Sequence, residues 1–235
     1  MIGVYDYTVI LTYLSLLSAG SGMVVSLSGT GHPFLGTFFL LFCGLCDAFD
    51  GKVAGTKKNR TDSERKFGIQ IDSLSDLVAF GVLPACIGAA FIRVSPMLNN
   101  VIGDTDGQWY RVALKLFIFG VLILYILTAM IRLAYFNVSE EERQSTEDGA
   151  RKYYLGLPVT SASLIFPTVA LLQYVTPFDL TWLYILVAVI TAALFITPFK
   201  LKKLGLKGIL GLIGIGTLEF VALIVARIIK TGHII

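Results

Sequence analysis

The stretch DAFDGKVAGTKKNRTDSERKFGIQIDSLSD, residues 47–76, sets the fold of the chain around it. It joins two strongly apolar segments through a short basic segment. Four aspartates lie at its two ends: Asp47, Asp50, Asp72 and Asp76. Residues three or four apart share a helix face, so Asp47 and Asp50 form one set, and Gly68, Asp72 and Asp76 another. A charge inside a bilayer helix costs about 2.5–3.5 kcal/mol, so four together indicate a function, and a divalent cation is their simplest partner.

The composition is that of a polytopic membrane protein. The chain has 235 residues, of which 55% are hydrophobic, and a mean hydropathy of +0.77. Seven apolar stretches approach the length of about 17–25 residues that a bilayer-spanning helix requires. We therefore predict an all-α bundle that forms one domain over residues 1–235, with six core helices and a seventh apolar segment at 208–230. The net charge of +3 is small, and we expect no nucleic acid among the partners.

The charged segments predict the orientation of the chain. The predicted helices cover residues 7–27, 34–51, 68–93, 112–135 and 155–175, followed by a sixth that begins near Trp182 and the segment 208–230. Pro84 is expected to kink the third. The loop 52–67 has six basic residues, 139–152 is strongly charged, and a further basic run begins at Lys200. By the positive-inside rule these segments face the cytoplasm, which predicts an aspartate cluster at the cytoplasmic face of the cell membrane.

The aspartate cluster has the chemistry of a site for hard cations. Carboxylates without histidine or cysteine favour Mg²⁺ or Mn²⁺, with Ca²⁺ as a further possibility, over zinc. Four carboxylates can hold two ions, an arrangement that recurs in displacement at phosphorus. Gly51 and Gly68 leave room for a phosphate or nucleotide, and basic loop residues such as Lys57 supply countercharge.

Two alternatives stay open from the residues alone. The aspartates could pair with Lys52, Lys57 or Lys66 and only orient the helices. The protein could also be a cation transporter, since intramembrane carboxylates line ion pathways. Against transport, the acids cluster at one edge, and Glu219 alone does not form a second polar layer. Cys43 and Cys46 have CxxC spacing, but without a second pair we predict small buried residues.

The pattern Asp47-x-x-Asp50-Gly51-x-x-Ala54, followed by Gly68-x-x-x-Asp72-x-x-x-Asp76, resembles the signature of the CDP-alcohol phosphatidyltransferase family. The resemblance implies a core of six helices and a homodimer. It also implies that the first three aspartates bind metal and that Asp76 binds metal or acts as general base. Gly51 and Ala54 would then border the CDP moiety.

Two departures from the family pattern stand in the same stretch. Gly55 occupies the position where the family usually has arginine, and the spacer before Gly68 is a few residues longer than usual. Glycine cannot replace the planar fork of donors that arginine offers to phosphate. Either Lys57, Lys58 or Arg60 compensates, or the site is impaired.

Three further segments narrow the resemblance to one subfamily. The clearest likeness covers residues 40–165. Residues 71–85, 132–138 and 156–162 resemble the integral-membrane phosphatidylserine synthases of bacteria and archaea. This implies transfer of a phosphatidyl group from CDP-diacylglycerol to L-serine among membrane lipids, with glycerol 3-phosphate or inositol phosphate as alternative acceptors. We predict that Arg132 recognises serine or phosphate, unless it extends to lipid headgroups; Lys152 is a second candidate.

Overall fold

The computed structural model describes residues 3–28, 33–102, 109–146, 153–202 and 206–231, and it is an α-helical bundle, as predicted. The helices are α1 (Ile10–Leu27), α2 (Pro33–Ala54), α3 (Asp62–Asp76), α4 (Leu83–Val94), α5 (Pro96–Ile102), α6 (Trp109–Thr146), α7 (Ala162–Val175), α8 (Thr181–Ile196) and α9 (Leu206–Thr231). A π-helical turn, Leu77–Val82, joins α3 to α4, and a 3-10 turn, Val159–Ser161, precedes α7. Strands β1 (Tyr153–Leu155) and β2 (Lys200–Lys202) pair antiparallel.

The bundle is membrane-integral. Four helical segments are long and apolar enough to cross a bilayer, namely 10–27, 33–54, 62–94 and 109–143. Shorter apolar helices cover 159–175, 181–196 and 210–226. Large apolar side chains such as Leu17, Leu218 and Ile229 are exposed on the outside of the bundle. In a bilayer these side chains contact lipid.

The predicted ends of three helices were wrong, because charged segments that were predicted as loops are helical. α2 continues to Ala54 and α3 begins at Asp62, so the connection is 55–61 rather than 52–67. The start of α3 is fixed by a capping box: the Thr61 N–H donates to Glu64 Oε2 over 2.9 Å, and the Glu64 N–H donates to Thr61 Oγ1 over 3.2 Å. Such a cap starts a helix before its apolar residues begin. α6 likewise continues through 139–146, which the sequence predicted as loop.

The fifth predicted helix begins later than expected, at Ala162 rather than Leu155. Residues 153–155 form β1 instead, and Gly156 follows with a φ of +79°. A left-handed residue followed closely by Pro158 cannot continue a helix. The apolar run is therefore divided between a strand, a turn and a shorter helix.

Small residues bring α1 and α2 together. The Ser18 hydroxyl donates to the Phe39 carbonyl over 3.0 Å, and the Cys43 thiol donates to the Ser15 carbonyl over 3.3 Å. Small side chains allow this close approach between helices in lipid. Cys43 and Cys46 are buried free thiols, as predicted.

The π-helical turn lies just before Pro84, the residue expected to perturb this helix. Proline has no N–H, so it cannot donate to the carbonyl of Phe80 four residues earlier. The buried Tyr125 hydroxyl of α6 donates to that carbonyl over 2.6 Å. Tyr184 of α8 similarly donates to the Pro84 carbonyl over 2.7 Å. Two tyrosines thus satisfy backbone groups at an irregular point of a spanning helix.

We expect Tyr125→Phe to destabilise the bundle by about 1–3 kcal/mol, because it leaves the buried Phe80 carbonyl without this donor. Thermal unfolding in detergent micelles measures the effect. Tyr135→Phe is the matched control, since Tyr135 is on the same helix and exposed. Equal midpoints for the two variants would contradict a stabilising role for the Tyr125 hydroxyl.

Candidate active site

A cavity of about 870 Å³ lies between α2, α3, α6, α7 and α9. One part of its wall is charged, with Asp47, Asp72, Asp76 and Arg132. Another part is apolar and is lined by α2 and α9 with Leu41, Phe42, Leu45, Leu212, Ile213 and Phe220. The cavity can therefore accommodate a molecule with a charged head and an apolar chain.

The structure brings the four predicted aspartates together. Asp76 is buried, while Asp47, Asp50 and Asp72 are half-buried. The Asp76 carboxylate interacts electrostatically with the other three, and the Asp50 and Asp72 side chains are within hydrogen-bonding range of each other. Like charges this close repel, so the cluster favours a bound cation.

Two of the lysines that could have neutralised the cluster have other partners. Lys57 donates to Asp6 over 2.7 Å and to Glu64 over 2.9 Å. The hydrogen bond from Lys57 lowers the pKa of the Asp6 carboxyl to about 2. The Lys52 ammonium lies 5.3 Å from the centre of the Phe49 ring. Lys57 therefore fastens the loop 55–61 to the N-terminal segment and to α3.

The donor set fits a hard divalent cation in chemistry and in charge, since every ligand candidate is a carboxylate oxygen. Among the described residues, however, no three Asp, Glu, His or Cys side chains are arranged to hold an ion together. The aspartate side chains must therefore rotate toward a common centre for an ion to bind. All four aspartates lie on α2 and α3, and the Asp76 carboxylate interacts electrostatically with the other three.

Arg132 is buried, with 5% of its surface exposed, and its Nε donates to the Leu157 carbonyl over 3.1 Å. Its guanidinium lies 5.6 Å from the centre of the Phe136 ring. A side chain that extends to lipid headgroups would be exposed at its tip. The burial of Arg132 disfavours a contact with headgroups of the surrounding bilayer, and Arg132 lines the cavity together with Asp47, Asp72 and Asp76. Its role in recognising serine or phosphate stays a prediction.

A feature that the sequence analysis missed holds Arg132 in place. We call residues 153–157 and 199–202 the strand clasp. In it, β1 pairs with β2, and the Gly156 N–H donates to the Phe199 carbonyl over 2.7 Å. A Cβ at Gly156 would lie 3.1 Å from the Thr197 carbonyl oxygen, so both space and its positive φ require glycine. The strand clasp thereby presents the Leu157 carbonyl to Arg132.

The predicted nucleotide residues are placed as follows. Gly51 is exposed and has open space where a side chain would be, and Ala54 is half-buried. Lys152 lies outside the described residues. Gly68 is covered, because a Cβ there would lie 2.6 Å from Nη2 of Arg60.

Arg60 was one of three residues that the sequence suggested as substitutes for the arginine missing at Gly55. Its guanidinium lies over Gly68, on the α3 face that also carries Asp72 and Asp76. Nη2 makes one long contact of 3.4 Å to the Glu64 carbonyl. Nε is buried without a hydrogen-bond partner among the described residues. Arg60 thus has donors to offer to an anion at this rim of the cluster.

Asn137 is a second residue that the sequence analysis missed. Its Nδ2 donates to Ser73 Oγ over 2.7 Å, which joins α6 to the residue that follows Asp72. On the other side of α3, the Ser75 hydroxyl donates to the Thr12 carbonyl over 3.2 Å. These two bonds fix the rotation of α3. The sequence contained a signal for this contact: Asn137 lies on an apolar helix, in the segment 132–138 that also contains Arg132, and an asparagine there needs a polar partner.

The chain matches the model of the CDP-alcohol phosphatidyltransferase family over residues 8–199. This is most of the chain, so the protein belongs to that family, as the aspartate pattern indicated. The match ends before α9, although α9 lines the cavity. α9 is fastened to α7 by a hydrogen bond from the Thr168 hydroxyl to the buried Glu219 carboxylate.

Several curated proteins that the chain resembles have serine or archaetidylserine in their names. The chain is 33% identical over 165 residues to the CDP-diacylglycerol–serine O-phosphatidyltransferase of Saccharomyces cerevisiae, covering 65% of this chain and 50% of that protein. It is 28% identical over 153 residues to the enzyme of the same name from Helicobacter pylori, covering 65% and 53%. It is 28% identical over 178 residues to the archaetidylserine synthase of Methanothermobacter thermautotrophicus, covering 75% and 64%. The chain thus spans about half the length of the first two relatives.

Proposed function

We propose that the protein transfers a phosphatidyl group from CDP-diacylglycerol to L-serine, producing phosphatidylserine and CMP. The observation that carries this proposal is the divided cavity, with Asp47, Asp72, Asp76 and Arg132 on one part of its wall and apolar side chains on another. A CDP-activated lipid has the matching division, a charged pyrophosphate joined to acyl chains. The names of the similar proteins support serine as the acceptor.

In the proposed mechanism, Asp47, Asp50, Asp72 and Asp76 would hold divalent cations, Mg²⁺ or Mn²⁺ with Ca²⁺ as an alternative, and two ions suit four carboxylates. When bound, such ions would supply positive charge that offsets the charge of the pyrophosphate and of the departing phosphate. Asp76 accepts the proton of the serine hydroxyl. The serine oxygen forms a bond to the phosphorus next to diacylglycerol as the bond from that phosphorus to CMP breaks.

The apolar part of the cavity would hold the acyl chains. Leu41 and Leu45 of α2 face this space together with Leu212 and Phe220 of α9. A lipid could enter sideways between these helices while its head lies among the aspartates. We propose that the site lies at the cytoplasmic face of the cell membrane, which the basic segments that flank it support. We also propose a homodimer, on the family resemblance alone.

We further propose that Arg60 supplies the contacts to nucleotide or phosphate that Gly55 cannot. The supporting observation is the position of its guanidinium over Gly68, in line with Asp72 and Asp76 on α3. Lys57, another residue considered for this task, is held in two ion pairs. The longer spacer before Gly68 gives residue 60 the reach to fold back over α3.

Arg60→Gln is therefore expected to raise the KM for CDP-diacylglycerol about tenfold, the loss of one charge-assisted hydrogen bond. Gly55→Arg should leave the wild type nearly unchanged and should restore most of the affinity in the Arg60→Gln background. Lys58→Gln, an exposed change in the same loop, is the control. Normal lipid affinity in Arg60→Gln would contradict the assignment, and rescue by Gly55→Arg distinguishes a lost contact from a misfolded loop.

CMP release by the purified protein tests the proposed function. The protein in mixed micelles receives CDP-diacylglycerol, Mg²⁺ or Mn²⁺ and one acceptor at a time: L-serine, glycerol 3-phosphate or inositol phosphate. We expect release with L-serine above the rate with either phosphate. Preference for a phosphorylated acceptor would contradict serine as the acceptor and would assign the protein to another activity within the family. Cation flux in liposomes without CMP release would favour a transporter.

A further inference from the structure

Lys202 is a cavity residue that the sequence analysis placed only in a basic run. It is the last residue of β2, where it pairs with Tyr153 of β1. Both Lys202 and Tyr154, the next residue of β1, line the cavity that contains the aspartates. Lys202 is exposed to solvent, so it stands at the mouth of that cavity rather than deep inside it.

The strand clasp connects Lys202 to Arg132. Its first strand pairs with Lys202, and its continuation offers the Leu157 carbonyl to the Arg132 Nε. One hydrogen bond joins that continuation to the other half of the clasp, from the Gly156 N–H to the Phe199 carbonyl over 2.7 Å, and another joins it to α8, from the Leu157 N–H to the Leu194 carbonyl over 3.2 Å. The strand clasp therefore carries Lys202 and holds the Arg132 side chain by a hydrogen bond, so that both cationic side chains lie on the wall of one cavity.

The cationic side chains of Lys202 and Arg132 on this cavity wall are suited to binding an anionic group of a substrate. L-Serine presents a hydroxyl, an ammonium and a carboxylate. If its hydroxyl lies at Asp76, as in the proposed function on which this inference rests, its carboxylate lies close to the cavity wall. An anionic carboxylate in that position is stabilised by a cationic side chain. A phosphate of the CDP-lipid has the same anionic oxygens and is the competing source of this chemistry.

We propose that Lys202, together with Arg132, forms the subsite for the carboxylate of the acceptor. Lys202 contributes a mobile ammonium at the cavity mouth, and Arg132 contributes a fixed guanidinium inside. The subsite selects an acceptor that carries an anionic group beside the reacting hydroxyl. The strand clasp is the structural element that brings this subsite to the aspartates.

Lys200 provides the matched control. It lies two residues from Lys202 on the same strand and face, where it pairs with Leu155, and it does not line the cavity. A general contact between basic residues and lipid headgroups would involve both lysines equally. A substrate contact would involve Lys202 alone.

The test measures KM for L-serine and for CDP-diacylglycerol separately in Lys202→Gln, Lys202→Arg and Lys200→Gln. We expect Lys202→Gln to raise the KM for serine about fivefold, since one solvent-exposed charged contact is lost. The KM for the lipid and the kcat should stay within about twofold, Lys202→Arg should retain most affinity, and Lys200→Gln should behave as wild type. Equal changes in the two glutamine variants, or an unchanged KM for serine in Lys202→Gln, would overturn the proposal.

A second acceptor separates the two sources of anionic oxygens. 2-Amino-1,3-propanediol has a hydroxymethyl group in place of the serine carboxylate. Wild type should prefer L-serine to this analogue, and Lys202→Gln should lose most of that preference. A raised KM for the lipid with an intact preference for serine would assign Lys202 to the phosphate and would overturn the carboxylate subsite. Failure of the wild type to use serine at all would instead refute the proposed function.

Discussion

Asp72→Asn is expected to reduce CMP release at least 100-fold, which corresponds to about 2.7 kcal/mol or more of lost transition-state stabilisation. Asp72 lines the cavity and is within hydrogen-bonding range of Asp50. Asparagine has nearly the same size, so the variant removes a charge and keeps the packing. The neutral amide binds a divalent cation more weakly, and the remaining aspartates then repel the pyrophosphate.

Fold and metal affinity separate the possible causes of this loss. Removing one of four mutually repelling charges should leave the thermal midpoint unchanged or raise it. Binding of Mn²⁺, measured by calorimetry without substrate, should weaken together with activity. Asp62→Asn is the control, since Asp62 is exposed in the first turn of the same helix. Wild-type Mn²⁺ affinity in Asp72→Asn, or more than a tenth of the wild-type activity, would remove Asp72 from the metal site.

Arg132→Lys is expected to lower kcat/KM for serine about 10- to 100-fold. The variant keeps the positive charge and loses the planar fork, so the Nε bond to the Leu157 carbonyl cannot form in the same geometry. A charge-assisted hydrogen bond inside a protein contributes about 1.5–3 kcal/mol, which sets this range. The loss should appear mainly in the KM for serine if Arg132 faces the acceptor, and in the KM for the lipid if it faces the phosphate.

Arg143→Lys is the control on the same helix, since Arg143 forms an ion pair of 2.6 Å with Glu140 outside the cavity lining. It should change neither constant by more than about twofold. Equal activity of wild type and Arg132→Lys would show that a positive charge alone suffices at this position. A loss of thermal stability in step with activity would assign Arg132 to holding the strand clasp.

Local periodicity explains what could be predicted. The spacing of Asp47 and Asp50, and of Gly68, Asp72 and Asp76, follows from the helical repeat, so the shared faces could be predicted without any tertiary information. Apolar run length likewise predicted the membrane bundle. The likeness to a family then added roles to the aspartates that their spacing alone leaves open.

The features that could not be predicted from the sequence depend on long-range contacts and on helix capping. The pairing of Tyr153 with Lys202 joins residues that lie far apart in sequence, and three-residue strands leave no periodic signal. The start of α3 depends on the reciprocal bonds of Thr61 and Glu64, in a segment whose charges resemble a loop. The contact of Arg60 with Gly68 depends on how the loop folds back, which the spacer length alone does not reveal.

The most direct test of the central claim follows labelled L-serine into lipid. Purified protein in mixed micelles receives CDP-diacylglycerol, Mn²⁺ or Mg²⁺ and labelled serine, and both the lipid fraction and CMP are quantified. We predict label in the lipid fraction, mole for mole with CMP, and neither product when CDP-diacylglycerol is omitted or the metal is chelated. CMP release without labelled lipid would show hydrolysis or a different acceptor, and would contradict the assignment of this cavity to serine transfer.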